Sequence, residues 1–187
     1  MIIIFTGPPF AGKDTQAKLV AKELNIPVYS MGNLIREAYD AGDPKAVEGY
    51  EKYSLKGLHL PIDLKFDLLK DKIEALSTGI IIDNFPANQE DLDAFNKYLS
   101  EKGLIVDKVI YITINEEEMQ KRYVHRGRGD DDPEIVLKRR RNQDADRVAI
   151  LDFYKAQGNL VEIDGVGDID EIHKKIMEAI NDWYKKR

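Results

Sequence analysis

A glycine-rich segment near the start of the chain has residue types and spacing that could bind a phosphate. It reads Gly7-Pro8-Pro9-Phe10-Ala11-Gly12-Lys13-Asp14-Thr15. Backbone amides at a helix N-terminus form a concave anion site, to which a lysine ammonium adds compact positive charge. The spacing of Gly7, Gly12 and Lys13 is typical of a phosphate-binding loop between a strand and a helix. That motif has serine or threonine directly after the lysine, whereas here Asp14 precedes Thr15.

A carboxylate ends a second apolar run. Asp83 follows the isoleucines 80–82, which read as a strand buried on both faces. Ligands in open α/β sheets bind outside the carboxyl ends of the strands, so Asp83 is placed to face a ligand. An aspartate that merely caps a turn is the alternative interpretation.

Arginines are concentrated in one short part of the chain. Arg36 is the first arginine, and the next seven are Arg122, Arg126, Arg128, Arg139, Arg140, Arg141 and Arg147. Guanidinium groups bind phosphate oxygens through two parallel hydrogen bonds, so this allocation suits a site that neutralises phosphoryl groups. Taken one at a time, most of these residues also fit solvated surface positions.

Short apolar runs alternate with helical stretches, which predicts a parallel sheet covered by helices. The predicted strands lie near 2–6, 27–30, 80–83, 108–114 and 160–163. The predicted helices include 13–24, 64–76, 92–99 and 169–183, and one that begins after an N-cap at Asn115. Two polar stretches, 32–61 and 127–142, interrupt the alternation and are candidate lids.

Composition excludes several classes of function. The 187 residues include 28 basic and 34 acidic side chains, a net charge of −6, which argues against a general binder of nucleic acid or membrane surfaces. No cysteine is present, so disulfides, thiolate nucleophiles and cysteine-bound zinc are excluded. The apolar start is far shorter than the roughly 20 residues of a membrane span and lacks a basic leader. We therefore expect a cytoplasmic protein.

These motifs together resemble those of adenylate kinases and their UMP/CMP kinase relatives. Residues 7–16 are similar to that family's phosphate loop, in which a glycine separates the lysine from the threonine. Residues 29–36 and 57–61 resemble its acceptor-binding segments, and 83–86 resembles its Asp-Gly-Phe-Pro motif. The run from Arg122 to Arg139 is similar to its short, zinc-free lid, with hinge glycines available at Gly127 and Gly129.

The resemblance implies a role for each matching residue. Lys13 would bridge the β- and γ-phosphates of ATP, Asp83 would hold Mg²⁺ through water, and Thr15 would contact phosphate and metal. The other donor-binding positions are Gly7, Pro9, Ala11, Gly12, Asp14 and Arg122, the last packing on the adenine. Arg126, Arg128 and Arg139 would close over the transferring group. The acceptor positions are Met31, Arg36, Leu60, Asn88 and Asp91.

Several residues depart from the family pattern. Phe10 and Asp14 replace loop glycines, and Ala87 stands where the family has an arginine that clamps the acceptor phosphate. Asp14 could repel phosphates, point outward or reach the hydration shell of Mg²⁺. Asn88 and Asp91 either read the acceptor base or cap the following helix. AMP, CMP and GMP all remain open as acceptors on these residues.

The resemblance implies one domain over residues 1–187. We expect an α/β fold of the P-loop NTPase type: a five-stranded parallel sheet flanked by helices, an acceptor-binding insertion about 31–61 and a short lid about 127–142. The implied activity is transfer of the γ-phosphoryl group from ATP, with Mg²⁺, to a nucleoside monophosphate, first of all AMP. We expect a monomer that binds neither nucleic acid nor membrane. The alternatives are a UMP/CMP-type kinase, or a nucleotide-binding protein whose catalysis is weak or lost.

The phosphate-loop interpretation predicts the effect of removing one charge. In Lys13→Met we expect phosphoryl transfer to be abolished while the protein stays folded, because the side chain points into the loop rather than into the core. Turnover assays and circular dichroism on the same preparation test this. Unchanged turnover in a folded variant would sink the phosphate-loop interpretation.

Overall fold

A computed structural model describes residues 1–75, 78–126 and 133–184 and has a five-stranded parallel sheet at its centre. The strands are β1 (Ile2–Thr6), β2 (Val28–Ser30), β3 (Ile80–Asp83), β4 (Lys108–Thr113) and β5 (Leu160–Asp164). Their order is β2-β3-β1-β4-β5, and every neighbouring pair is parallel. The predicted fold class is confirmed, and each predicted strand lies within a residue or so of its observed bounds.

Eight α-helices lie within the described residues. They are α1 (Lys13–Leu24), α2 (Met31–Asp40), α3 (Pro44–Lys52), α4 (Ile62–Glu74), α5 (Gln89–Glu101), α6 (Glu116–Arg126), α7 (Pro133–Ala156) and α8 (Ile169–Tyr184). The polar stretch 32–61 contains most of α2, then α3 and a short 3₁₀ turn, Ser54–Lys56. Of the predicted lid, residues 127–132 fall outside the described residues, and 133–142 form the first part of α7.

The apolar strands separate two hydrophobic cores. Ile2, Ile4 and Ile82 belong to one buried cluster, whereas Ile3 and Ile81, which alternate with them, belong to the other. Successive side chains of a strand point to opposite faces, so a strand covered on both sides needs an apolar residue at every position. This is why the runs read as continuous rather than alternating.

Local polar contacts fix the helix that follows β4. The Asn115 side-chain oxygen accepts a hydrogen bond of 2.8 Å from the backbone N–H of Glu118, so the predicted N-cap of α6 is confirmed.

The parallel strands all end at the same edge of the sheet, which brings the segments after β1, β3 and β4 together. Among the described residues, no helix is both long and apolar enough to cross a membrane.

Candidate active site

The first residue of the loop after β1, Gly7, occupies a position that only glycine can fill. Gly7 has a φ of 149°, and a Cβ atom there would lie 2.2 Å from the Ile112 carbonyl oxygen on β4. Such a distance is well inside van der Waals contact, so any side chain would push the loop away from the sheet. The loop therefore starts in close contact with β4 and continues directly into α1.

Three cationic side chains bind carbonyl oxygens of this loop. Lys13 Nζ donates to the Pro8 carbonyl at 2.8 Å, and Arg122 donates to the Phe10 carbonyl at 3.2 Å. Arg147, on α7, donates to the Gly7 carbonyl at 3.1 Å. The negative ends of these peptide dipoles are thus directed at cations, and the opposite side of the loop is available to an anion.

Phe10 shows how the chain accommodates a large residue at a loop position where its family resemblance expects glycine. Its φ of 65° lies in the left-handed region, which costs about 1–2 kcal/mol for a residue with a Cβ atom. The ring packs edge-to-face against Tyr123 of α6, with centroids 5.6 Å apart. Such pairs contribute about 0.5–1.5 kcal/mol beyond their buried area, which offsets much of the backbone cost.

The phosphate loop forms one wall of a cavity of about 580 Å³, a size in the usual range for small-molecule sites. Predicted donor-site residues that line it are Pro9, Ala11, Gly12, Lys13, Asp14, Thr15, Asp83 and Arg122. Arg122 also donates to the Gly165 carbonyl at 2.8 Å, which fixes the opposite wall after β5. Gly7 does not line the cavity; its backbone packs closely against Ile112 of β4 and so positions the start of the loop.

Asp83 is a buried carboxylate with an unused oxygen. Its side chain is 5% exposed, and its Oδ1 atom is buried without a hydrogen-bond partner. Burial raises the pKa of Asp83, while the nearby Lys13 charge and a hydrogen bond from Ser30 oppose that shift. An unpartnered carboxylate oxygen beside a phosphate loop fits Mg²⁺, which proteins hold through one or two carboxylates together with substrate phosphates.

Asp14 is paired along the exposed surface of α1. Its Oδ2 atom accepts a hydrogen bond of 2.7 Å from Lys18, one turn further along the helix. Of the three alternatives that the sequence leaves open for Asp14, repulsion of phosphates is weakened, because the partner cation offsets the charge. No described group of three or more acidic or histidine residues could hold a metal by itself.

A second, narrower cavity of about 140 Å³ adjoins the first. The predicted acceptor residues Met31, Arg36 and Leu60 line it, together with His59 and Ala87. Arg36 lines both cavities, and its guanidinium donates to the Asn33 side chain at 2.6 Å. That bond orients a cation toward the boundary between the cavities.

Asn88 and Asp91 line neither of these two cavities. The Asn88 side chain accepts a hydrogen bond of 2.8 Å from the backbone of Asp91 and caps α5, the alternative interpretation. Asp91 is 0% exposed, and its two oxygens accept bonds of 2.7 and 2.8 Å from Lys65 and one of 2.9 Å from the Ala87 backbone. A carboxylate so occupied has no free surface for a base.

The predicted lid arginines are only partly covered by the structure. Arg128 and the side chains of Arg126 and Arg139 fall outside the part of the chain that is described. Sequence reasoning assigned no role to Arg147, whose partner is a backbone carbonyl 140 residues away. A backbone acceptor leaves no signature in residue types, and the only available signal was the position of Arg147 at the end of the arginine cluster.

Comparison with known proteins gives consistent matches over nearly the whole chain. The family model described as Adenylate kinase matches residues 5–159. An adenylate kinase of Leptospira biflexa is 34% identical over 184 residues, covering 95% of this chain and 98% of the relative. One of Bifidobacterium longum is 34% identical over 186 residues, covering 96% and 100%. One of Mycobacterium tuberculosis is 32% identical over 182 residues, covering 96% and 99%.

The buried charge of Asp83 predicts opposite effects on stability and activity. Between the ordinary value of 3.8 and the raised pKa, the folded protein binds more protons than the unfolded chain, so its stability falls as pH rises through that window. In Asp83→Asn we expect this decline to disappear and stability at pH 7 to equal or exceed that of the wild type. Turnover should fall at least hundredfold, because no carboxylate remains to face a cation. Urea unfolding at several pH values and a turnover assay test both parts; a loss of stability at pH 7 would contradict the assignment.

The contact between Arg147 and Gly7 predicts a defect specific to the donor nucleotide. In Arg147→Met we expect the KM for ATP to rise about tenfold while the KM for the acceptor changes little, because the loop carbonyl loses its charged donor. Lys155→Met, which removes an exposed positive charge from the same helix outside the proposed lid, is the matched control. An unchanged KM for ATP in a folded Arg147→Met protein would show that the contact does not position the loop.

Proposed function

The chain belongs to the adenylate kinase family, and from this premise we propose that it transfers the γ-phosphoryl group of ATP to AMP, forming two molecules of ADP. Members of this family are phosphotransferases, and this chain is a nucleoside monophosphate kinase. The observation that carries the proposal is the boundary between the two cavities. Gly32, Arg36, Asn84 and Gln143 line both, so a donor phosphate and an acceptor phosphate can meet there.

Lys13 and the loop amides form the donor side of the reaction. Phosphoryl transfer passes through a loose transition state, so positioning and neutralisation of charge matter more than a strong base. The ammonium of Lys13 lies 2.8 Å from the Pro8 carbonyl and can turn from that oxygen to the β- and γ-phosphates when ATP is present. Asp83, with Thr15 on the same cavity wall, would hold Mg²⁺, which neutralises phosphate charge when bound.

Arg36 organises the acceptor side. Its guanidinium, oriented by Asn33, would bind the phosphate of AMP and direct one oxygen at the γ-phosphorus. A new bond forms from that oxygen to the γ-phosphorus as the bond to the β,γ-bridging oxygen breaks, and this oxygen stays with ADP. Arg126, Arg128 and Arg139 would close over the group in transfer and exclude water, since hydrolysis of ATP otherwise competes.

The identity of the acceptor rests on the relatives. Proteins named adenylate kinase cover almost all of this chain, and AMP is the acceptor that this name implies. Met31 and Leu60 provide an apolar lining for the acceptor base, as the resemblance implies. Asp91 gives no reason to prefer a base other than adenine, because its carboxylate oxygens accept hydrogen bonds from Lys65 and from the Ala87 backbone.

The proposal extends to the organisation of the protein. Residues 31–61 would form the acceptor-binding insertion and 127–142 the lid of one kinase domain. The active form would be a monomer. Its partners would be ATP with Mg²⁺ and AMP in the cytoplasm, and neither nucleic acid nor membrane.

A panel of acceptors tests the proposed function. The protein is incubated with ATP and Mg²⁺ and with AMP, CMP, UMP or GMP, and diphosphates are measured. We expect AMP to have the highest kcat/KM, by at least tenfold, because the related kinases act on it. Lys13→Met, purified in the same way, controls for contaminating kinases. A preference for CMP or UMP would indicate a UMP/CMP-type kinase, and the absence of any diphosphate would indicate a nucleotide-binding protein without catalysis.

A further inference from the structure

Two carboxamide side chains lie at the boundary between the donor and acceptor cavities. Asn84 and Gln143 line both cavities, and of the four residues that do so only Arg36 carries a charge. Within the described part of the chain, neither carboxamide forms a hydrogen bond with another residue. Among the described residues, no other group accepts from the amide N–H groups of these two side chains, at the position where two phosphates would meet.

The backbone fixes Asn84 in this position. It directly follows Asp83 at the end of β3, and its own N–H donates to the Phe5 carbonyl at 2.9 Å. Its φ of 63° lies in the left-handed region, which asparagine tolerates better than most residues. The side chain lines the same cavity as the carboxylate assigned to Mg²⁺.

A helix contact fixes Gln143. It lies on α7 one turn before Arg147, whose guanidinium is bonded to the Gly7 carbonyl and, at 2.5 Å, to Asp144. The same part of α7 also contacts the acceptor side, because the Asp146 Oδ2 atom lies 2.8 Å from Nε2 of His59. The part of α7 that carries Gln143 therefore contacts both sides of the boundary.

The surroundings explain why neutral donors would be useful here. Ala87 offers no polar side chain where the resemblance expects a phosphate-clamping arginine. Lys65, which lines the same cavity as Ala87, is buried and bonded to both oxygens of Asp91, so its charge is already offset. The acceptor cavity, which Ala87 lines, thus lacks the charged donor that an arginine at position 87 would supply, and two uncharged donors line its boundary with the donor cavity.

We propose that Asn84 and Gln143 donate hydrogen bonds to the oxygens of the acceptor phosphate and of the phosphoryl group in transfer. They act as positioning groups in place of the missing arginine, and they form no covalent bond. This proposal rests on the proposed function, because it assigns these amides to the same reaction. Charged phosphate oxygens make the stronger class of hydrogen bond, so each amide contributes to the rate although it is neutral.

Removing the Asn84 carboxamide tests the first half of the proposal. In Asn84→Gly the backbone conformation is retained, because glycine accepts a φ near 63° without strain. We expect kcat/KM for AMP to fall about ten- to hundredfold while the KM for ATP changes less than threefold. Asn25→Gly is the matched control, since Asn25 has a φ of 52° and lines neither cavity.

Gln143→Met tests the second half, with Gln120→Met on the exposed surface of α6 as its control. We expect a similar fall in kcat/KM for AMP, again with little change in the KM for ATP. A purely structural role would lower the melting temperature or weaken both substrates alike. Wild-type values of kcat/KM in both variants would overturn this proposal and leave the kinase assignment standing, whereas failure of the wild type in the acceptor panel would overturn both.

Discussion

Charged hydrogen bonds to the carbonyl oxygens of the phosphate loop are the interaction on which the rest of the site depends. Helices α1, α6 and α7 each supply one cation, Lys13, Arg122 and Arg147, to a different loop carbonyl. Besides the packing of the Phe10 ring on Tyr123 and the burial of Ala11, these bonds hold the backbone of the loop and define which side faces an anion. The absence of room for a Cβ atom at Gly7 fixes the other end of the loop against β4.

One turn of α7 joins the two halves of the site. Arg147 holds the phosphate loop, Asp146 contacts His59 on the acceptor side, and Gln143 lies between them. One helix therefore contacts both the donor and the acceptor side of the site. This arrangement suits a transfer reaction, in which small errors in the distance between two phosphates cost large factors in rate.

Much of the fold could be predicted from the sequence because it follows local patterns. The bounds of β1 and α1 agree with the prediction, since an apolar run, a glycine-rich turn and a helical repeat occur in immediate succession. Helix α4 begins at Ile62 rather than 64, directly after Pro61, which lies at its N-cap. The phosphate loop, Asp83 and Arg36 could be identified for the same reason, because each belongs to a short motif of residues that are adjacent in the sequence.

The remaining features depend on contacts between distant parts of the chain. Asp91 matched a position that reads the base in related kinases, but its partner Lys65 on another helix occupies it. No pattern along the sequence shows that pair, because a lysine on a helix usually faces solvent. Asn84 and Gln143 likewise became candidates only when two cavities were seen to share them.

If the two cavities form a single site in which donor and acceptor phosphates meet, one ligand that carries both nucleotides should fill them together. Calorimetric titration with a bisubstrate analogue, two adenosines joined by five phosphates, measures this. We predict one analogue bound per chain, with an affinity that is reduced when the protein is first saturated with AMP and also when it is saturated with ATP. Two analogues per chain, or binding that AMP leaves unchanged, would contradict it.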